Sequence, residues 1–501
     1  MTPVTNPLSR IPTFALLGAI GLLAAIVGLE PVRSFDYWWH LRTGQLIAET
    51  GAVPFHDPYT YTVPGARWID MHWAFQLGLH GLYRLGGHEA VQFAKAGCVL
   101  ALVGILGSIG WRRTRVAVSA LALGLMLVAA RERLLERPEL LSFLILAAEL
   151  SLLYRHERRG DHWVFAIVPL QLLWSNLHGL QAVGIAVCGM ALVSELVRPL
   201  LCASQPMRRE RARRLGAVVL LSFGASFVNP NGVDAALFPL QQLQMIAAGD
   251  QRSDLGSTIA ELRPILEATR GSLGLLAAGG LALATLLLNW RRLWLFEILV
   301  FSAFLVLSLA AERNVALLAI VSVPIGVRNL NELIDRHPPP RWMRGAAPVA
   351  VLGLLIVAIA QMADRQPGWM AHPVTQGLYP EAAVDWIDRE QPPGPLFHAM
   401  ADGGYLIWRL HGAYPVMVDG RLEVFGEQAF SQLRATVSGT VQGFQRLDET
   451  YHFGVALLSH RFFPRMTLVN WLLKQPDWRL VLLDDTAALL VRSDRRGVPG
   501  S

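Results

Sequence analysis

The segment most suggestive of chemistry follows the first apolar run, at residues 34–42, which read SFDYWWHLR. In a helix, Asp36 and His40 would lie one turn apart on the same face. Tryptophan and tyrosine rings are typical of the membrane interface, so a simple interfacial anchor is one explanation of this segment. A carboxylate next to a transmembrane helix, however, needs a partner or a cation. Asp36 is therefore the first candidate for chemistry.

Later segments carry further polar groups. Residues 257–261 read STIAE, residues 401–407 read ADGGYLI, and residues 418–421 read VDGR. Taken alone, each has a structural explanation. Glu261 can pair with a nearby arginine in a solvated loop, and Asp402 with the two glycines after it is typical of a turn. Arg313 can extend to the interface or pair locally.

Three of these segments, in this order, resemble the GT-C glycosyltransferases, and most closely the catalytic subunit of oligosaccharyltransferase. An aspartate followed by aromatic residues and His-Leu-Arg is typical of that family's first external loop, as at residues 36–42. Residues 258–261 are similar to its TIxE motif. Residues 401–407, with 418–421 downstream, look like a modified WWDYG segment, in which Met400 and Ala401 stand where the family has two tryptophans.

The resemblance implies a glycosyltransferase that moves a sugar from a polyprenyl-phosphate-linked donor to an unidentified extracytoplasmic acceptor. Carboxylates suit Mg²⁺ or Mn²⁺, and such a cation would neutralise the charge that develops on the leaving phosphate. Arginine binds phosphate well. The roles implied are catalysis for Asp36 and Glu261, metal binding for the same two residues and Glu139, donor-phosphate binding for Arg313, His40 and Arg42, and acceptor binding for Asp402, Gly403 and Tyr405.

Composition places this chemistry in a membrane. Hydrophobic residues make up 53% of the chain and charged residues only 16%, whereas a soluble domain is about one quarter charged. The net charge of +6 comes from basic residues, almost all of them arginine. These arginines lie in short loops between apolar runs, where membrane orientation requires them, so the sequence predicts no nucleic-acid partner.

Eleven apolar runs are long enough to cross a membrane, or nearly so. They fall at about residues 11–30, 88–111, 116–130, 139–154, 163–176, 179–201, 215–228, 272–290, 293–311, 314–327 and 346–362. With the N-terminus inside, the inner loops hold about 17 arginines in about 45 residues and the outer segments about 11 in about 115. This contrast predicts a multi-pass protein of the bacterial inner membrane with a cytoplasmic N-terminus and an extracytoplasmic C-terminus.

The elements that must position the candidates follow from this layout. We expect an α-helical polytopic membrane protein of GT-C type, with a transmembrane domain at residues 1–362 that includes external loops 31–87 and 229–271. Residues 363–501 alternate apolar strands with amphipathic helices, which predicts a C-terminal α/β extracytoplasmic domain. A helix is expected at Pro380–Glu390 and another near Met466–Lys474. Short buried strands are expected at Tyr414–Val418, Gly454–Leu458 and Trp478–Leu483.

Two other functions remain open from the sequence. A relative that keeps the fold but lost catalysis could act as an assembly partner. A transporter or flippase of lipid-linked sugars is less favoured, because charge within the apolar runs is sparse. At the inner face, Glu297 lies near Arg291 and Arg292, and Glu195 near Arg198; both are expected to form local ion pairs.

Overall fold

The computed structural model describes residues 11–112, 115–201, 207–247, 279–364, 372–412, 414–433, 440–463 and 466–493, together with residue 277. Contacts divide the chain into two compact units. Unit 1 consists of Met1–Glu30 and Glu89–Pro373, and unit 2 of Pro31–His88 and Val374–Ser501. The first loop and the C-terminal region therefore belong to one unit.

Most helices between residues 11 and 364 follow the apolar runs of the sequence, whereas those at Tyr37–Thr50 and Gly232–Ala247 lie in the segments expected to be external loops. In α4, for example, fifteen residues contain no charged side chain and are rich in alanine and leucine, which favour helix. The helices are α1 (Ile11–Gly28), α2 (Tyr37–Thr50), α3 (Trp73–Ser108), α4 (Val116–Ala130), α5 (Pro138–Arg159), α6 (Ile167–Leu177), α7 (Gln181–Leu201), α8 (Arg209–Ala225), α9 (Gly232–Ala247), α10 (Gly280–Leu288), α11 (Leu295–Ala310), α12 (Val315–Arg336) and α13 (Arg341–Asp364).

Within the described residues, three helices are long and apolar enough to cross a membrane: Trp73–Ser108, Gln181–Leu200 and Glu312–Arg336. Shorter apolar helices occupy Thr13–Gly28, Leu295–Ala310 and Ala346–Ala360. By length and composition, then, the chain is a mainly helical, multi-pass membrane protein. Within unit 1, α12 is buried along most of its length and packs against α4, α10 and α11.

Unit 2 contains a small mixed sheet with helices around it. The strands are β1 (Leu396–Phe397), β2 (Val455–Ser459), β3 (Trp478–Leu483) and β4 (Ala487–Arg492), in the order β1-β2-β4-β3. Strand β1 is parallel to β2, whereas β4 is antiparallel to both β2 and β3. Besides α2 and the start of α3, the helices of unit 2 include α14 (Glu381–Glu390), α15 (Gly403–Arg409), α16 (Leu422–Leu433), α17 (Val441–Tyr451) and α18 (Thr467–Leu472). All five residues of β2 are buried, as expected for a central strand.

Most of the local predictions in this region are confirmed, namely the helices at α14 and α18 and the strands at β2 and β3. The strand expected at Tyr414–Val418 is wrong, since only one bridge forms there, between Val416 and Thr60. The backbone of Val416 instead exchanges hydrogen bonds with Tyr59 and Tyr61 of the first loop, at 2.9 and 3.1 Å. An apolar run does not reveal that its partner is an irregular segment far away in the sequence.

Candidate active site

Asp36 immediately precedes α2 and is half-buried within unit 2. Its Oδ1 accepts a hydrogen bond from the indole nitrogen of Trp39 at 3.3 Å. The same oxygen lies against Gly420, where a Cβ atom would be only 2.3 Å away. A contact this short is open only to a residue without a side chain. The first-loop aspartate and residues 418–421, both singled out by their sequence, thus meet in the fold.

Two further glycines, at the start of α15, also lie very close to neighbouring backbone atoms. A Cβ on Gly404 would lie 2.6 Å from the carbonyl oxygen of Phe35 and 3.2 Å from Cδ1 of Trp39. A Cβ on Gly403 would lie 2.0 Å from the carbonyl oxygen of Val418. The two glycines therefore let the start of α15 pack between the beginning of α2 and residues 418–421. Two of the three segments that carried the family resemblance converge on Asp36.

The segment that holds Gly420 is anchored by Arg421, which is fully buried. Its Nε and Nη2 donate to the two carboxylate oxygens of Asp419 at 2.8 and 2.6 Å, and Nη2 lies 2.8 Å from Oδ1 of Asp57. The guanidinium lies over the rings of Tyr59 and Trp68, 4.9 and 4.6 Å from their centres. Burial by itself lowers the pKa of Arg421, but the two carboxylates outweigh it and raise that pKa, so the cation persists.

Asp57 also organises the loop that follows it. Its carboxylate accepts hydrogen bonds from the backbone nitrogens of Tyr59 and Thr60, at 3.2 and 3.1 Å, and from the Thr60 hydroxyl. This is the turn expected of an aspartate before Pro58. The turn and the ion pair with Arg421 together tie the first loop to residues 419–421.

A group of buried polar side chains connects His40 of α2 with Asp70. Gln76 donates to Oδ1 of Asp70 at 3.0 Å, and its amide nitrogen lies 3.5 Å from Nδ1 of His40. The backbone nitrogen of His72 donates to the same Asp70 oxygen at 3.0 Å. Burial raises the pKa of Asp70 to about 7 and lowers the pKa of His72 to about 4. His72 is therefore neutral wherever Asp70 is ionised, and their 3.8 Å separation is not an ion pair.

The three residues assigned to donor-phosphate binding have different surroundings. His40 is buried and faces the group of polar side chains just described, with its ring 5.3 Å from that of His72. Arg42 donates to the carbonyl oxygen of His411 at 3.0 Å and lies 4.0 Å from Glu49. Arg313, in a short turn of 3₁₀ helix before α12, is half-buried in unit 1. Their role in binding phosphate stays a prediction.

The residues assigned to acceptor binding are buried within unit 2. Asp402 and Tyr405 are at most 2% exposed, and Gly403 is buried against Val418. Asp402 accepts a hydrogen bond from the Ser459 hydroxyl, and burial raises the pKa of Asp402 to about 7. In this structure the three residues join α15 to the sheet and to residues 418–421, and acceptor binding by them stays a prediction.

Glu139, the third metal ligand expected, lies in the first turn of α5 in unit 1 and pairs with Arg133. Two more buried ion pairs lie in the same unit, between Arg131 and Glu30 and between Lys95 and Glu136. Lys95 also donates to the backbone carbonyl of Glu30 at 2.6 Å.

The metal hypothesis involves Glu261, which lies outside the described residues. Among the residues that the structure does describe, no group of three histidine, cysteine, aspartate or glutamate side chains could hold a metal ion. The described residues alone therefore do not make a metal site.

Sequence reasoning did not single out Arg421, Asp70, Gln76 or Ser459 as individual residues. The first of these had a usable signal, because an arginine two residues after an aspartate can form a local bidentate pair. Gln76 and Ser459 had none, since their partners are set by the tertiary fold.

Comparison with known structures shows the fold of this chain. The oligosaccharyltransferase of Archaeoglobus fulgidus in its apo form has a TM-score of 0.62 at 11% identity, with 90% of this chain and 70% of that chain covered. Its crystal structure in complex with Zn and sulfate has a TM-score of 0.60 at 13% identity, covering 88% and 68%. This oligosaccharyltransferase is a GT-C glycosyltransferase, as is ArnT, the other protein whose structure is similar. The chain has a GT-C-like fold.

ArnT from Cupriavidus metallidurans, bound to undecaprenyl phosphate, has a TM-score of 0.52 at 14% identity, and the likeness covers 99% of this GT-C-like chain and 100% of ArnT. No family model matches the chain, and no curated protein matches its sequence. The resemblance to oligosaccharyltransferase that short segments indicated is thus confirmed at the level of the fold. The overall sequence identity to these proteins is too low to reveal that resemblance.

Proposed function

We propose that this chain is a glycosyltransferase that transfers a sugar from a polyprenyl-phosphate-linked donor to an extracytoplasmic acceptor. The observation that carries the proposal is the position of Asp36, held against Gly420 in a GT-C-like fold. The fold likeness to ArnT, whose crystal structure holds undecaprenyl phosphate, supports a lipid-linked donor.

In the proposed reaction, the bond between the sugar's anomeric carbon and the donor phosphate oxygen breaks, and the polyprenyl phosphate or diphosphate leaves with that electron pair. A bond forms between the anomeric carbon and the acceptor's nucleophilic atom. Asp36 accepts the proton that the acceptor releases, which a carboxylate within hydrogen-bond reach can do. Trp39 and Gly420 keep this carboxylate in place, because one donates to Oδ1 and the other leaves room for it.

The proposal includes a divalent cation, Mg²⁺ or Mn²⁺, bound by Asp36 and Glu261. When bound, such an ion would supply positive charge opposite the leaving phosphate. Its test is donor turnover after chelation and after restoration of each metal. The variant Glu261→Gln should raise the metal concentration needed for half-maximal turnover. Full turnover in a chelator, with no response to added metal, would remove the cation from the proposal.

The proposed setting is the bacterial inner membrane, with eleven spans, the N-terminus in the cytoplasm and residues 363–501 as an α/β domain outside it. The arginine contrast between the two sets of loops supports this orientation. The described helices over the apolar runs support a multi-pass arrangement.

The decisive experiment follows consumption of a radiolabelled polyprenyl-phosphate-linked sugar by the full-length protein in membranes of its own host cells, which supply the acceptor whatever its identity. Asp36→Asn should reduce turnover by about 10²-fold or more, the scale of general-base catalysis, and leave the melting temperature unchanged. Asp388→Asn is a matched control, because that aspartate is exposed on α14 of the same unit. No turnover by the wild type would overturn the proposal and favour a relative without catalysis, and measurable turnover that is equal in the wild type and Asp36→Asn would remove Asp36 from the reaction.

A further inference from the structure

A cavity of about 1020 Å³ lies within unit 1, at the junction of α3, α5, α7, α11 and α12. Its size matches that of a small-molecule site, which is usually about 300–1,000 Å³. Six arginines line it but only two carboxylates do. Such an excess of positive charge around an open pocket suits an anionic ligand.

Each of the two lining carboxylates forms an ion pair with one of the lining arginines. Glu157 pairs with Arg198 at 3.1 Å and also with Arg208, and Glu332 lies 3.2 Å from Nε of Arg328. A third lining arginine, Arg112, pairs with Asp335 at 2.7 Å. Half of the lining arginines are therefore neutralised by neighbours.

The other three arginines are Arg158, Arg291 and Arg292. No carboxylate in the described part of the chain pairs with any of them. The sequence led us to expect Glu297 to pair with Arg291 or Arg292, and this expectation is wrong. Glu297 is fully buried and lies 2.7 Å from Arg328. The cavity thus keeps three cations without a described counter-charge.

The lining also has an unsatisfied polar group. The side chain of Asn331 is buried, at 3% exposure, and within the described residues its Oδ1 has no hydrogen-bond partner. A buried amide without a partner costs free energy, which a bound ligand or water would recover. Because the oxygen and nitrogen of an amide can exchange places, Asn331 can present a donor to an anion.

Aromatic side chains also line the cavity, next to its arginines. Trp290 is 64% exposed, and the guanidinium of Arg291 lies 5.1 Å from the centre of its ring. Trp294 carries Arg328 in the same way at 5.6 Å. An arginine stacked on an indole keeps its N–H groups directed outward along its own plane, where they can bind a phosphate. The indoles offer an apolar wall to the rest of a ligand.

This cavity is separate from the segment that contains Glu139. Helix α5 begins beside Glu139 and reaches the cavity at Tyr154, Glu157 and Arg158. At 1.5 Å per residue, the interval from Glu139 to Arg158 is about 30 Å, the thickness of a bilayer core. The cavity is thus at the opposite end of this helix from that candidate ligand.

We propose that this cavity binds a phosphate-bearing anion through Arg158, Arg291 and Arg292, with Asn331 as a further hydrogen-bond partner and the tryptophans against the ligand's apolar part. The phosphate belongs either to an anionic lipid headgroup or to a soluble phosphate compound. This site does not depend on the proposed transferase reaction.

The test uses purified full-length protein and two probes. Inorganic pyrophosphate is titrated calorimetrically into protein in an uncharged detergent. Separately, the melting temperature is measured in nanodiscs of phosphatidylcholine with and without phosphatidylglycerol. The double variant Arg291→Gln/Arg292→Gln should weaken pyrophosphate binding by about tenfold or more, or abolish the stabilisation by phosphatidylglycerol. Both side chains are exposed, so the variant should fold, which circular dichroism checks.

The matched control is Arg209→Gln/Arg213→Gln, which removes the same charge from exposed positions on α8 that do not line the cavity. Pyrophosphate binding that is lost only in the cavity variant indicates a soluble phosphate ligand. A phosphatidylglycerol effect lost only in that variant indicates a lipid headgroup. If neither probe acts on the wild type, or if both double variants lose the response equally, the proposed site is refuted.

Discussion

Oδ1 of Asp36 lies so close to the Cα of Gly420 that a methyl group at position 420 would come within 2.3 Å of it. Real Cβ atoms do not approach other atoms this closely, so a side chain at position 420 would force the Asp36 carboxylate out of this position. The position of the proposed catalytic carboxylate therefore depends on a residue that itself carries no chemical group.

Gly420→Ala should displace the Asp36 carboxylate and so reduce donor turnover by about 10²-fold, the cost of an error of about 1 Å in a catalytic group. Gly81→Ala is the control, because nothing lies within 4 Å of a Cβ built at that helical glycine of unit 2. Turnover of both variants is measured with the labelled donor. Wild-type turnover by Gly420→Ala would mean that the position of Asp36 is not important for the reaction.

Removal of the Arg421 side chain should destabilise unit 2. In Arg421→Met, the buried carboxylates of Asp57 and Asp419 lose their shared cation, a change that costs about 3–5 kcal/mol in buried pairs. We expect faster hydrogen–deuterium exchange at the amides of Tyr61 and Val416, with peptides from unit 1 unchanged.

Two further variants sharpen this test. Arg421→Lys keeps the charge but loses the bidentate geometry, so its exchange should be intermediate. Arg389→Met removes an exposed arginine paired with Glu390 and should change little. Exchange in Arg421→Met that is as slow as in the wild type would show that the buried cluster does not stabilise the unit.

The features that the sequence predicts well are local ones. A helix after Pro380 and the buried strand of β2 follow from short patterns of proline and apolar residues. Asp36 stands out because it follows an apolar run directly. The pairing of Arg421 with Asp57 could not be foreseen, since the two lie in segments separated by most of the transmembrane helices. For the same reason the sequence did not reveal that the first loop and the C-terminal region form one unit.

The buried carboxyl groups Asp70 and Asp402 should make stability depend on pH. Burial raises the pKa of each from 3.8 to about 7. In the folded protein they keep their protons up to about pH 7, whereas unfolded chains release them near pH 4. Each therefore contributes stability that is full below about pH 4 and is lost as the pH rises to about 7. His72 and His398 act oppositely, because burial lowers the pKa of each from 6.5 to about 4.

Because these effects oppose each other in the wild type, the informative quantity is the difference between a variant and the wild type. Asp70→Asn and Asp402→Asn should each gain stability relative to the wild type between pH 4 and pH 7, by about 1.4 kcal/mol per pH unit for one proton. Melting in detergent from pH 4.5 to 8 measures this. Asp388→Asn, at an exposed position, should give a constant difference. A constant difference for Asp70→Asn would show that its carboxyl is not protonated in the folded state.

The contact between Asp36 and Gly420 also constrains the path of the chain through the membrane. Both residues belong to unit 2, so the first loop and the C-terminal region must lie on the same side of the bilayer. The chain between His88 and Val374 must therefore cross the membrane an even number of times. The apolar runs predict ten crossings in this interval, and the arginine contrast predicts that the shared side is external.

Reporter fusions test both statements. Fusions after residues 115, 160, 210 and 340 should read as cytoplasmic, since each follows an inner loop rich in arginine. Fusions after residues 60 and 400 should both read as external. Opposite readings at residues 60 and 400 would be incompatible with a folded unit 2, because one compact unit cannot place Asp36 and Gly420 on different sides of a membrane. Matching cytoplasmic readings would keep the even number of crossings but reverse the orientation, and would place the proposed transfer on the wrong side for an extracytoplasmic acceptor.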